Sequence, residues 1–290
     1  MTETLSLLSS VFKLRIGMAI MLSAMAGLAV APGPAPEAWK IALLAAVVLT
    51  SSASAGAFNQ VVEREFDARM SRTRNRPFVT GRFHAGWPWL AGLAALLLIP
   101  VAAAAFAINL ASAIYVFLGA FVYGVVYTIW LKHRTWLNIV VGGLSGSFAV
   151  LAGAAAVDPG LATAPVLLAV VLFLWTPPHF WSLAFAYRDD YAAAGVPMLP
   201  VVMSEAAAAW IILGHTVALV ALSLLPTAFG LGWIYLLGAA SGGALFVATS
   251  LRLVAKPGRK RAMVNFFASL VQLCLLLVAA MLDAWLLGPA

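Results

Sequence analysis

The sequence predicts an all-α membrane protein, one domain over residues 1–290 that crosses the bilayer nine times. Three observations predict it. The 290 residues are 64% hydrophobic and only 9% charged, with a mean hydropathy of +1.02, whereas soluble domains are roughly half apolar and about a quarter charged. The apolar residues gather in runs of about 20, the length a helix needs to cross the hydrocarbon core. The basic residues fall between these runs, and they fall on one side.

The first run covers about 15–31 and follows Lys13 and Arg15, as a signal peptide would, with Ala29-Val30-Ala31 as its cleavage site. A proline follows at once and the run is at the upper limit for such a segment, so it reads as the first membrane helix. The others lie at about 39–58, 87–106, 110–130, 136–156, 164–184, 205–225, 232–254 and 262–286. They are solidly apolar and rich in Ala and Leu, whereas barrel strands would alternate. The single cysteine, Cys274, lies in the last run and reads as packing; it excludes a disulfide framework.

Alternating the nine runs puts the N-terminus on one side with the loops near 59–86, 131–135, 185–204 and 252–261. That side carries sixteen of the seventeen Lys and Arg residues, all but Lys40. The positive-inside rule makes it cytoplasmic, with the C-terminus outside. The same rule accounts for the net charge of +7 and removes the case for nucleic acid. No Arg-rich, acid-poor transit segment precedes the first run, which points to a bacterial inner membrane. The opposite loops, APGPAPE, INLAS, VDPGLAT and PTAFGLG, are short turn-forming connectors.

The densest chemistry lies at 59–77, NQVVEREFDARMSRTRNRP, with three acidic residues and five arginines in nineteen positions. Asn59, Glu63 and Asp67 recur every fourth residue, so a continuing helix would project all three from one face. Arg69, Arg72, Arg74 and Arg76 follow. Carboxylates beside guanidinium groups suit a divalent cation held together with phosphate oxygens. The loop YRDDYAAAGVPMLPVVMS adds Arg188, Asp189 and Asp190. Lys132-His133-Arg134 forms a third patch, in which Lys132 and Arg134 are candidate phosphate contacts. Asn138 is placed to cap its helix. In WTPPHFWSLAF, Pro177 and Pro178 interrupt backbone hydrogen bonding, and His179 follows among aromatic residues as a candidate substrate contact.

The pattern N-x-x-x-E-x-x-x-D followed by RMSRTRNRP resembles the first acidic motif of the UbiA-type intramembrane prenyltransferases. KLRIG, LKHRTWLNIVVGG, WTPPHFWSLAF and DDYAAAGVPMLPVV narrow the resemblance to the protoheme IX farnesyltransferase branch. The resemblance implies a UbiA-type nine-span bundle around a central cavity, in which Asn59, Glu63, Asp67, Asp189 and Asp190 bind Mg²⁺ and farnesyl diphosphate. It implies farnesyl transfer to a vinyl group of heme B with addition of water, giving heme O. Heme A synthase or a terminal oxidase assembly complex would be the protein partners. Glu63 stands where Asp is more usual in the superfamily. Tyr187 and Tyr191 stand where quinone-type relatives carry further aspartates, which weakens the second metal site and marks both tyrosines as candidate substrate contacts. A quinone or chlorophyllide prenyltransferase and a secondary transporter are the rival readings. The acids gather in loops and not at mid-membrane depth, which argues against transport.

Overall fold

The computed structural model describes residues 2–288, whose regular structure is all helical, with no strand among them. The order is α1 (Thr2–Val11), α2 (Leu14–Val30), α3 (Ala38–Val62), α4 (Arg64–Asp67), α5 (Trp87–Ala107), α6 (Leu110–Phe121), α7 (Asn138–Gly142), α8 (Leu144–Val157), α9 (Thr163–Ala186), α10 (Arg188–Ala193), α11 (Leu199–Val202), α12 (Glu205–Ser223), α13 (Trp233–Ala255) and α14 (Arg259–Leu287). α6 runs on as a π-helix over Val122–Leu131. Eight segments are long and apolar enough to cross a membrane, with α7 and α8 counted together. A ninth apolar helix, α2, has 17 residues, about 25 Å at the α-helical rise and near the lower limit for a span. Its predicted run is therefore found as a helix, but a shorter one than its eight companions.

Between helices in lipid the hydrophobic drive is weak, and close backbone approach holds them instead. At the crossing of α2 and α8, a Cβ added to Gly27 would lie 2.0 Å from the Val150 carbonyl oxygen, and one on Gly153 would lie 1.8 Å from that of Ala24. Nothing larger than glycine fits. α9, α13 and α14 are joined by a buried polar network, in which Asn265 Nδ2 donates to Ser182 Oγ (3.0 Å) and Asn265 Oδ1 accepts from Thr249 (2.7 Å) and Ser250 (3.0 Å). Asp283 of α14, 1% exposed, accepts from the backbone N–H groups of Gly232 and Tyr235 at the start of α13. α5 lies at the rim, its Phe106 92% exposed. Cys274 is also exposed and is not part of the core.

Two local expectations change. Pro177 and Pro178 remove two donors, but α9 continues through both to Ala186, because its buried face is held by neighbouring helices. Asn138 does not cap its helix. Its side chain donates backwards to the carbonyls of Lys132 (3.1 Å) and Thr135 (2.7 Å), and so fixes the turn that carries Lys132.

The stretches that alternation assigns to one side do meet. Lys13 reaches Asn59, Lys132 reaches Glu63, Ser71 reaches Asp190, and Arg259 lies over the Tyr187 ring.

Candidate active site

The α3 helix ends at Val62, earlier than a face running through Asp67 would need, and Glu63 closes it with φ −87° and ψ 3°. The pitch survives the break. Glu63 N–H donates to the Asn59 carbonyl (3.0 Å) and Asp67 N–H to the Glu63 carbonyl (2.8 Å), so the four-residue spacing is kept into α4. Asn59, Glu63 and Asp67 are 4%, 1% and 2% exposed. A carboxylate so buried needs a partner, and each oxygen donor of the row has one.

Asn59 Oδ1 accepts from Lys13 Nζ (2.7 Å), and its Nδ2 donates to Thr128 Oγ1 (3.1 Å). Glu63 meets Lys132 Nζ (2.5 Å) and His133 Nε2 (3.0 Å), with the His133 ring stacked on Phe66 at 3.8 Å. Asp67 meets Arg76 Nη1 (2.6 Å). Burial disfavours the charge on Glu63, but hydrogen bonds and attraction from His133 and Lys132 outweigh it and lower its pKa. For Lys13 burial dominates, reinforced by Arg76 and Lys132 and opposed by Asp67, and the ammonium is held well below its ordinary pKa.

Local structure delivers these cations. Lys13 has φ 48°, a left-handed conformation that is rare for a side-chain-bearing residue. It turns the chain between α1 and α2, where Gln60 Nε2 caps the carbonyls of Ser10 (2.8 Å) and Val11 (3.2 Å). Gly56 leaves room for its stem, since a Cβ there would lie 3.3 Å from Lys13 Cδ. The π-helix delivers Lys132. At about 100° per residue an α-helix would put Tyr123 and Lys132, nine residues apart, on opposite faces. The underwound i→i+5 ladder brings residues four and five apart onto one face. Tyr123 thereby meets Lys13 (3.0 Å), Thr128 meets Asn59 and Lys132 meets Glu63.

The second acidic loop closes over the first. Asp190 accepts from Ser71 Oγ at 2.6 Å. Burial opposes its charge, yet the Ser71 hydroxyl and the backbone N–H groups of Ser71 and Arg72 lower its pKa. Arg72 Nη2 approaches the buried Tyr191 hydroxyl (3.4 Å), and the Tyr187 ring lies between Arg72 (5.8 Å) and Arg259 (5.3 Å). Asp189, Arg74 and Arg134 are exposed. Arg69 covers the Phe66 ring, and Arg188 pairs with Glu205 at 3.4 Å. His179 sits in α9 between Trp175 (4.1 Å) and Phe266 (4.5 Å), with Nδ1 on Ser269 Oγ (2.7 Å).

Beside Lys13 and Tyr123 a cavity runs between α2, α3, α6 and α8. Small residues hollow it out: Ala55, Gly56, Gly119, Ala120 and Ala149, with Ile20, Val48 and Val116 as further walls. Its walls are mostly apolar, with Ser51, Ser52, Ser145 and Tyr115 among them, and Lys13 is the one cation among the described residues of its lining. Lys13, Lys132 and Arg76 pair with Asn59, Glu63 and Asp67 in turn, and Arg72 lies by Asp190 at the rim. Such a place suits a ligand with a polyanionic head and a hydrocarbon tail.

Known proteins carry the same pattern. The model of the UbiA prenyltransferase family matches residues 20–287. The chain belongs to the UbiA prenyltransferase family. Within it, the chain is 59% identical to protoheme IX farnesyltransferase 2 of Paramagnetospirillum magneticum over 288 residues, 99% of this chain and 100% of that one. It is 48% identical to protoheme IX farnesyltransferase 1 of the same organism, covering 93% and 95%. Among solved structures, digeranylgeranylglyceryl phosphate synthase superposes with a TM-score of 0.78 at 20% identity, covering 97% of this chain and 99% of that one. A UbiA homolog from Archaeoglobus fulgidus bound to GPP and Mg²⁺ gives 0.69 at 15% identity, covering 95% and 99%. This UbiA family member is thus a multi-pass membrane prenyltransferase with the family's helical bundle.

Lys13 and His133 were missed as site residues. In the sequence Lys13 stands as a basic residue ahead of the first apolar run and His133 as the middle of the Lys132-His133-Arg134 patch; the left-handed turn and the π-helix that aim them leave no mark in hydropathy.

Proposed function

We propose that this protein transfers the farnesyl group of farnesyl diphosphate to a vinyl group of heme B, with addition of water, giving heme O and diphosphate. The relatives named protoheme IX farnesyltransferase support the substrates. One observation in the fold carries the site: an apolar cavity ending at Lys13, next to the Asn59–Glu63–Asp67 row and its cations. The site faces the cytoplasm, and nine spans carry it.

Asn59, Glu63 and Asp67 form an all-oxygen donor set on one helical face, which fits Mg²⁺. Two solved structures of a UbiA homolog from Archaeoglobus fulgidus are bound to Mg²⁺ with GPP or DMAPP. When bound, the ion supplies charge neutralisation for the diphosphate oxygens.

Lys13, Arg72, Arg76 and Lys132 hold the diphosphate and stabilise the charge it gains as the allylic carbon–oxygen bond ionises. The bonding pair leaves with the diphosphate. The vinyl terminal carbon attacks farnesyl C1, water adds to the resulting cation, and the proton released is taken up by the diphosphate. The cavity walls keep water from the first cation. Asp190 ties the arginine loop down through Ser71, Tyr187 and Tyr191 hold Arg72, and Asp189 faces outward as a second-loop carboxylate available to the diphosphate's metal. His179, with Nδ1 committed to Ser269, presents Nε2 to heme B.

Purified protein in nanodiscs, given heme B, farnesyl diphosphate and Mg²⁺, forms heme O by mass. Prenylation of 4-hydroxybenzoate instead would move the protein to the quinone branch.

A further inference from the structure

All three donors of the proposed metal row are already engaged by cations of the protein. Lys13 Nζ is on Asn59 Oδ1, Lys132 Nζ on Glu63 Oε2, and Arg76 Nη1 on Asp67 Oδ2, at 2.7, 2.5 and 2.6 Å. No cluster of three or more His, Cys, Asp or Glu side chains among the described residues is open to a metal ion.

We propose that Lys132 makes metal capture conditional on diphosphate: it occupies Glu63 until a diphosphate arrives, then transfers to the diphosphate oxygens and releases the carboxylate. The inference rests on the diphosphate reading of this site and adds the order in which its ligands bind. A divalent ion needs the carboxylate oxygen that the ammonium holds. An ammonium in contact with that carboxylate opposes the ion by like-charge repulsion. Lys132 is itself nearly buried, 9% exposed, and cannot leave Glu63 unless another anion receives it, since a buried charge without a partner is costly. Diphosphate is such an anion.

The surroundings permit the exchange. Asn138 Nδ2 holds the Lys132 carbonyl (3.1 Å), so the backbone stays in place while the flexible four-carbon stem swings. His133 Nε2 contacts both Glu63 oxygens, at 3.0 and 3.2 Å, and keeps the carboxylate oriented as the ammonium departs.

The test is binding of Mn²⁺ alone to the full chain in nanodiscs, read by loss of the electron paramagnetic resonance signal of the free ion. Wild type is expected to bind Mn²⁺ weakly without farnesyl diphosphate. Lys132→Met, of similar volume, is expected to bind it about tenfold more tightly, the scale of one neighbouring charge, and to bind farnesyl diphosphate in EDTA about tenfold more weakly. Lys132→Arg keeps the wild-type pattern, and adding Glu63→Gln to Lys132→Met abolishes the gain. A melting curve for each variant shows that it is folded. Equal Mn²⁺ affinity in wild type and Lys132→Met, in preparations whose turnover EDTA abolishes, overturns the ordering alone. EDTA-insensitive turnover overturns the metal-diphosphate reading and the ordering with it.

Discussion

Lys13 Nζ lies 2.7 Å from Asn59 Oδ1 and 3.0 Å from the Tyr123 hydroxyl. A residue that precedes the first apolar helix thereby reaches the end of the second and the middle of the fourth, at the head of the cavity. Replacing Lys13 with Met removes the cation and keeps the length. Its KM for farnesyl diphosphate is expected to rise about tenfold or more, as for loss of a charged hydrogen bond of about 1.5–3 kcal/mol. Steady-state kinetics at saturating heme B check this.

His179→Phe preserves the stack between Trp175 and Phe266 and deletes both ring nitrogens. Heme B affinity is expected to fall roughly tenfold, with farnesyl diphosphate affinity unchanged. Heme absorbance titration and calorimetry with farnesyl diphosphate read the two separately. Equal losses would mean that the ring serves packing alone.

The α2–α8 crossing leaves no volume at Gly153, where a Cβ would lie 1.8 Å from the Ala24 carbonyl oxygen. Gly153→Val is expected to destabilise the bundle by about 1–3 kcal/mol through overpacking. Gly146→Ala on the same helix meets nothing within 4 Å and should be neutral. Thermal unfolding in detergent compares them.

The acid limit of the loop closure follows from Asp190. Its folded pKa is depressed, so the Ser71–Asp190 contact contributes fully above the ordinary carboxylate value of about 3.9 and is lost as pH falls through the depressed one. Proteolysis within 63–86 is expected to accelerate below that range in wild type, and at neutral pH in Asp190→Asn.

How much of this was legible differs from residue to residue. The nine runs were visible because each is a continuous apolar stretch, and α2 keeps the length of its run, beginning where Lys13 turns the chain. The Asn59–Glu63–Asp67 row was visible because its four-residue spacing survives the break at Glu63. Its pairings were not: Arg76 and Lys132 were legible as candidate phosphate contacts, but not as the cations that hold Asp67 and Glu63. Lys132 and Tyr123 share a face only in the π-helix, whose underwinding has no periodic signature in a uniformly apolar stretch. Lys13 depends on a left-handed backbone, and the Gln60 cap on α1 pairs residues 50 and 49 positions apart. Asp190 was legible as a carboxylate but not as the residue that holds Ser71.

The claim beneath the rest is that a prenyl diphosphate rests its head on the Asn59–Glu63–Asp67 row. Equilibrium binding of radiolabelled farnesyl diphosphate with Mg²⁺ to wild type and Asp67→Asn tests it most directly. The expected result is at least a tenfold loss of affinity with a turnover loss of order 10²–10³, and unchanged binding and turnover would contradict it.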